Sequence, residues 1–222
     1  MKTFPRLIMA LCVAVLATTD VSAKARHNRN PVVRQENNVV HQANTAVHQI
    51  EQFYDALLGV MKQGAQLGVE GRFKRLAPQI DSTFDLAAMT KFTVGPSWDT
   101  MSEADHKTLI DAFRRMTIAD YAHNFASFNG QKFVVDPTVE ERNIDHLVHS
   151  QLIPVDDKPV SLTYRMRQSG GAWKVIDVFL EGYVSELATR RSDFAATVQS
   201  GGATGLVQKL NQLSDKFMKG EN

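Results

Sequence analysis

VSLTYRMRQSGGAWKVIDVFL, residues Val160 to Leu180, is the stretch from which the fold can be read. In its first half Val160, Leu162, Tyr164 and Met166 alternate with Ser161, Thr163, Arg165 and Arg167. Successive side chains of a strand point to opposite faces, so this strand has one apolar and one polar face, as in a sheet covered on one side. Ser169-Gly170-Gly171 supplies a short turn, and the chain resumes as a strand from Ala172 to Leu180, which predicts an antiparallel hairpin. In this second strand Trp173, Val175 and Phe179 share a face with Asp177, while Ile176, Val178 and Leu180 fill the other. Apolar residues on both faces predict a central position in the sheet. A carboxylate in such a strand is unfavourable unless paired. Arg165, across the hairpin, and Arg191, on the helix that follows, are its candidate partners, with backbone amides as the other way to satisfy it. The competing reading makes Asp177 a pocket acid, as in small α+β isomerases.

Working outward, Lys132–Val139 and Asn143–Ile153 read as two further strands, giving a sheet of about four. Upstream the period changes. Val47, Ile50, Tyr54, Leu57, Leu58 and Met61 recur at helical spacing from about Ala43, and Gly64 and Gly68 weaken that helix's end. A short helix is predicted over Glu70–Leu76, before Pro78, and Asp85 caps another over Leu86–Val94, which ends at Gly95-Pro96. Ser102-Glu103-Ala104-Asp105 resembles a capping box and opens a helix to about Phe128. On that helix Leu109, Ile110, Phe113, Met116, Tyr121 and Phe125 span a broad arc, so it packs against several neighbours or lines a cavity. Downstream, Val184–Gln199 and the Leu206, Leu210, Leu213, Phe217 pattern form two helices separated at Gly201-Gly202. Helices, a block of strands, then helices predict an α+β fold with an antiparallel sheet.

The N-terminus carries an address. Lys2 and Arg6 precede an apolar run, Leu7–Ala17, too short to span a bilayer, and Val21-Ser22-Ala23 fits signal-peptidase cleavage. Residues 1–23 therefore read as a signal peptide, 24–43 as a polar disordered leader, and 44–219 as a single domain. Removing the signal removes Cys12, the chain's one cysteine, and takes the net charge from +1 to roughly zero. Thiol chemistry and disulfides are thereby excluded, and no basic excess remains to neutralise nucleic-acid phosphates. A cysteine-free exported chain fits a periplasm.

No catalytic signature is present. Gly95-Pro96-Ser97-Trp98-Asp99 lacks the closing glycine and the preceding strand of a nucleophile elbow. His146 and His149 suggest a metal pair, but a spacing of three on a strand puts them on opposite faces. No metal, cofactor or enzymatic activity is expected from the sequence.

The ordered set Trp173, Asp177-Val178, Glu181-Gly182, Ser185, Arg191 and Phe194, followed by Gly202, Gly205, Leu206 and Leu210, resembles the MlaC or toluene-tolerance type of periplasmic lipid-binding protein. Phe53-Tyr54, Pro78, Phe84, Met89, Gly95 and Trp98 fall in the expected order upstream, so the likeness covers about residues 44–213. An extra residue in Gly182-Tyr183-Val184-Ser185, with Arg190-Arg191-Ser192-Asp193-Phe194, looks closer to the hopanoid-associated HpnM branch. The resemblance implies a soluble carrier of phospholipid or hopanoid between the inner and outer membranes. Its implied partners are an inner-membrane ABC transporter and an outer-membrane lipoprotein complex. Such a carrier needs an apolar cavity between sheet and helices. The faces above nominate Leu86, Met89, Phe92, Phe113, Met116 and Tyr121 from the helices. From the strands they nominate Val160, Leu162, Tyr164, Met166, Trp173, Val175 and Phe179, with Asp177 and Arg191 as a structural acid–base pair. A non-catalytic envelope interaction module with a filled core, and an enzyme using Asp177 or Glu181 as base, are the competing classes.

Overall fold

A computed structural model describes residues 33–221, with side chains from residue 45 onward. The predicted signal peptide, and the leader as far as residue 32, lie outside the described residues. The element order is α1 (Val33–Lys62), α2 (Gly64–Thr83), α3 (Leu86–Val94), a 3-10 turn (Gly95–Thr100), α4 (Glu103–Asn124), β1 (Lys132–Arg142), β2 (Asp145–Ile153), β3 (Val160–Ser169), β4 (Ala172–Leu180), β5 (Val184–Ser185) and α5 (Glu186–Lys219). The class is α+β, as expected, with five strands rather than four in a single antiparallel sheet ordered β1-β2-β3-β4-β5.

Most helix boundaries follow their chemistry. Asp85 accepts from the Ala88 amide, and Ser102 and Asp105 exchange side-chain and backbone bonds across the start of α4. Three boundaries differ from the sequence reading. Helical backbone begins at Val33 rather than near Ala43, so it takes in residues 33–43 of the predicted leader. α2 continues through Pro78 to Thr83, because the bond lost at the proline is offset by complete burial of Leu76 and Ile80 on either side. The two predicted C-terminal helices run on as α5, kinked where the break was expected, at Gly202 with φ 57° and ψ −148°.

The hairpin between β3 and β4 turns on Gly170 and Gly171 alone, both at positive φ, as a two-residue turn of this kind requires. β4 is not central. Its outer edge meets only the two-residue β5 and a single parallel bridge from Phe84 to Val175. Its second apolar face has another cause. In the β3–β4 ladder Met166 pairs with Val175 but Arg165 pairs with Asp177, so a bulge at Ile176 shifts the alternation by one residue. Beyond the bulge, Val178 and Leu180 lie opposite Tyr164 and Leu162, on the apolar face, and Phe179 moves to the other.

That apolar face packs under the helices. Tyr54 of α1 stacks on Phe133 of β1, with centroids 4.3 Å apart, and meets Tyr164 of β3 edge-on at 5.8 Å. Phe53, completely buried, meets Phe84 at 5.2 Å and Tyr121 at 5.4 Å, both T-shaped. Each fully buried side chain of this size contributes roughly 1.5–3 kcal/mol on leaving water. α4 packs against α2, α3 and α5, which accounts for its broad apolar arc.

Candidate functional site

The interior is not filled. A cleft of about 850 Å³, counted to its open mouth, runs between the sheet and the α4 side of the helical layer. That size lies in the upper part of the range for ligand pockets. Its floor is Phe133, Leu162, Tyr164, Val178 and Leu180, one row from each of three strands. Tyr54, Leu57, Phe84 and Met89 close one side; Phe113, Tyr121 and Phe125 of α4 and Leu187 of α5 close the other. The floor is flat because the bulge brings Val178 and Leu180 into line with Tyr164 and Leu162.

The polar groups of the floor are neutral. Tyr54 Oη lies 2.6 Å from Ser150 Oγ, and burial pushes its hydroxyl up to about 12. Burial also raises Tyr121 and Tyr164 above the ordinary tyrosine value. One wall is polar: Thr117, Asp120 and Asn124 of α4 face Glu186 and Arg190 of the first turns of α5. Asp120 is fully engaged there, accepting from Arg190 Nη2 at 2.7 Å through one oxygen and from Asn124 Nδ2 at 2.5 Å through the other.

Of the nominated residues, the cleft takes in Met89, Phe113, Tyr121, Leu162 and Tyr164. Leu86, Met116, Met166, Trp173 and Val175 are buried in the core away from it. Val160 and Phe179 are half-buried outside it. Phe92 is 43% exposed and sits under the Arg191 guanidinium, 5.5 Å from its ring centre. Helical spacing from Phe113 reaches Thr117, Asp120 and Asn124, so periodicity carried a signal for that wall. Nothing in the sequence pointed to Val178 and Leu180, because a bulge leaves no compositional mark.

Asp177 and Arg191 do not pair. Asp177 accepts from Ser185 Oγ at 2.6 Å, Val178 N at 2.8 Å and Leu187 N at 3.2 Å, while Arg191 packs against Phe92 and Gly95. The first turn of α5 offers its free amides to Asp177, and Arg191 lies a turn further on, facing α3. Burial raises the Asp177 pKa, against the pull of those three hydrogen bonds and of Arg165. The other nominated arginine, Arg165, is engaged with Asp145, which also binds Arg167. Asp177 does not line the cleft. His146 is buried and stacked on Trp173 at 3.9 Å, whereas His149 bonds to Thr163 and Glu140. Among the described residues no group of three or more His, Cys, Asp or Glu side chains is placed to hold a metal ion. Nor is any helix among them long and apolar enough to cross a membrane.

A solved phospholipid-binding protein from Ralstonia solanacearum, in complex with a phospholipid, has a similar fold. The TM-score is 0.68 and the identity 24%, over 78% of this chain and 98% of that one. No curated protein matches the sequence at a significant level. The family described as MlaC protein matches residues 51–212, which covers every strand, the whole of the cleft and all but the last turns of α5, and the chain therefore belongs to the MlaC family.

Proposed function

We propose that the mature chain is a non-catalytic lipid carrier of the periplasm, which holds phospholipid or hopanoid hydrocarbon in the cleft and passes it between the inner and outer membranes. The observation that carries this reading is the open, largely apolar cleft in a fold that otherwise packs to full burial. Two acyl chains hold on the order of 30 methylenes at about 0.8 kcal/mol each, so free lipid in water is disfavoured by roughly 20 kcal/mol or more. A carrier has to replace nearly all of that contact. Neutral tyrosines and aromatic walls do so without presenting a charge to the tails. Export by the predicted signal peptide puts the domain in the aqueous gap between two membranes, and an inner-membrane ABC transporter and an outer-membrane lipoprotein complex are its proposed partners there. An enzyme needs a reacting group in the cleft, and Asp177 is engaged outside it. A filled interaction module leaves no room for a ligand.

Organic extraction of protein purified from a lipid-rich host, followed by lipid mass spectrometry, tests the proposal. Stoichiometric lipid in the wild type is expected. Leu180→Trp, which fills the floor from a half-buried position, is expected to lower bound lipid severalfold while the protein stays folded. Empty wild-type protein from such a host sinks the reading.

A further inference from the structure

Glu186 is the exception on the polar wall. It lines the cleft, yet its Oε1 is buried without a hydrogen-bond partner. The one cation beside it, Arg190, is already committed to Asp120. With two carboxylates and a single guanidinium, the wall carries an excess negative charge. A buried acceptor without a partner is unfavourable, and an arriving donor recovers that loss.

We propose that Glu186 is a specificity-determining residue of the cleft, accepting a hydrogen bond from a hydroxyl or ammonium group on the bound lipid and disfavouring lipids with net negative charge. The inference rests on the carrier reading and names the class of lipid that the cleft prefers. Burial raises the Glu186 pKa, with Arg190 opposing and Asp120, Asp177 and Asp193 adding to the rise, as for a carboxylate that lacks a counter-charge of its own. The wall leaves a donor on the ligand an acceptor to meet, and gives a phosphate on an anionic lipid no free cation.

The test incubates the intact mature protein with vesicles of equal parts phosphatidylethanolamine, phosphatidylglycerol and diacylglycerol. The protein is re-isolated and its bound lipids are counted. In the wild type, phosphatidylethanolamine is expected to exceed phosphatidylglycerol by about tenfold, the size of one charge-assisted hydrogen bond. Enrichment of diacylglycerol as well supports a hydroxyl as a sufficient donor; enrichment of phosphatidylethanolamine alone supports the ammonium. E186Q, which keeps the shape and removes the charge, is expected to bind as much lipid in total with the preference largely lost. Bound lipid in the vesicle's own proportions, enrichment of phosphatidylglycerol, or an undiminished preference in E186Q each overturns this inference and leaves the carrier reading standing. Protein that takes up no lipid at all overturns both.

Discussion

Asp177 sits where the β3–β4 ladder breaks, and its three hydrogen bonds tie that break to the first turn of α5. Its job is structural. Asp177→Asn removes an acceptor from two backbone amides and Ser185, and is expected to destabilise the fold by about 1–3 kcal/mol, read as a lower Tm. Lipid content per folded molecule is expected to stay at the wild-type level; a loss of lipid without a loss of stability contradicts the assignment. Asp145 plays a similar part on the other side of the sheet, buried between Arg165 and Arg167. Burial alone acts to raise its pKa, but the bonds from Arg167 and Arg165 outweigh that and hold it below the ordinary value of 3.8. A depressed carboxylate contributes stability that is complete above its unfolded pKa and is lost as pH falls through the folded one. Thermal unfolding between pH 2 and 6 is therefore expected to show a steeper acid limb in the wild type than in Asp145→Asn. That Asp177 would need a partner was legible in the sequence. Which partner it takes was not, because the choice between an arginine and the amides of α5 depends on where the bulge turns the side chain.

Among the elements, β4 decides the site. Strict alternation over Ala172–Leu180 puts Phe179 on the core face, and the one-residue shift at Ile176 puts Val178 and Leu180 there instead. Tryptophan substitutions at neighbouring positions separate the two registers: Leu180→Trp is expected to displace lipid, and Phe179→Trp to leave lipid content near the wild-type level. Equal effects at both positions contradict the shifted register. The helix kinks make a second expectation. Gly202, at φ 57° and ψ −148°, occupies a region open to little besides glycine, and a Cβ there meets nothing within 4 Å. Gly202→Ala is thus expected to lose stability through backbone strain alone, about 1–3 kcal/mol by chemical denaturation, with an unchanged m-value. The double glycine made this break visible in advance. The passage of α2 through Pro78 was hidden, since local propensity opposes it and only the burial of Leu76 and Ile80 overrides it.

For the molecule as a whole, the expectation concerns where it works. If residues 1–23 direct export, protein recovered from the envelope has an intact mass that begins at Lys24, and retention of Met1 contradicts the cleavage. The sequence by itself determined the α+β class, the β3–β4 hairpin, most helix starts and the family likeness. These rest on periodicity, capping residues and turn glycines, which act over a few residues and are written locally. Only the tertiary structure decided the cleft. Its floor depends on a bulge, its walls on how α1, α4 and α5 pack over the sheet, and its polar side on which carboxylate Arg190 engages. Leu86, Met116 and Trp173 are as apolar as Leu57, Phe84 and Leu180. Whether such a side chain fills the core or faces a cavity is set by what stands opposite it, and that is fixed only when distant segments meet.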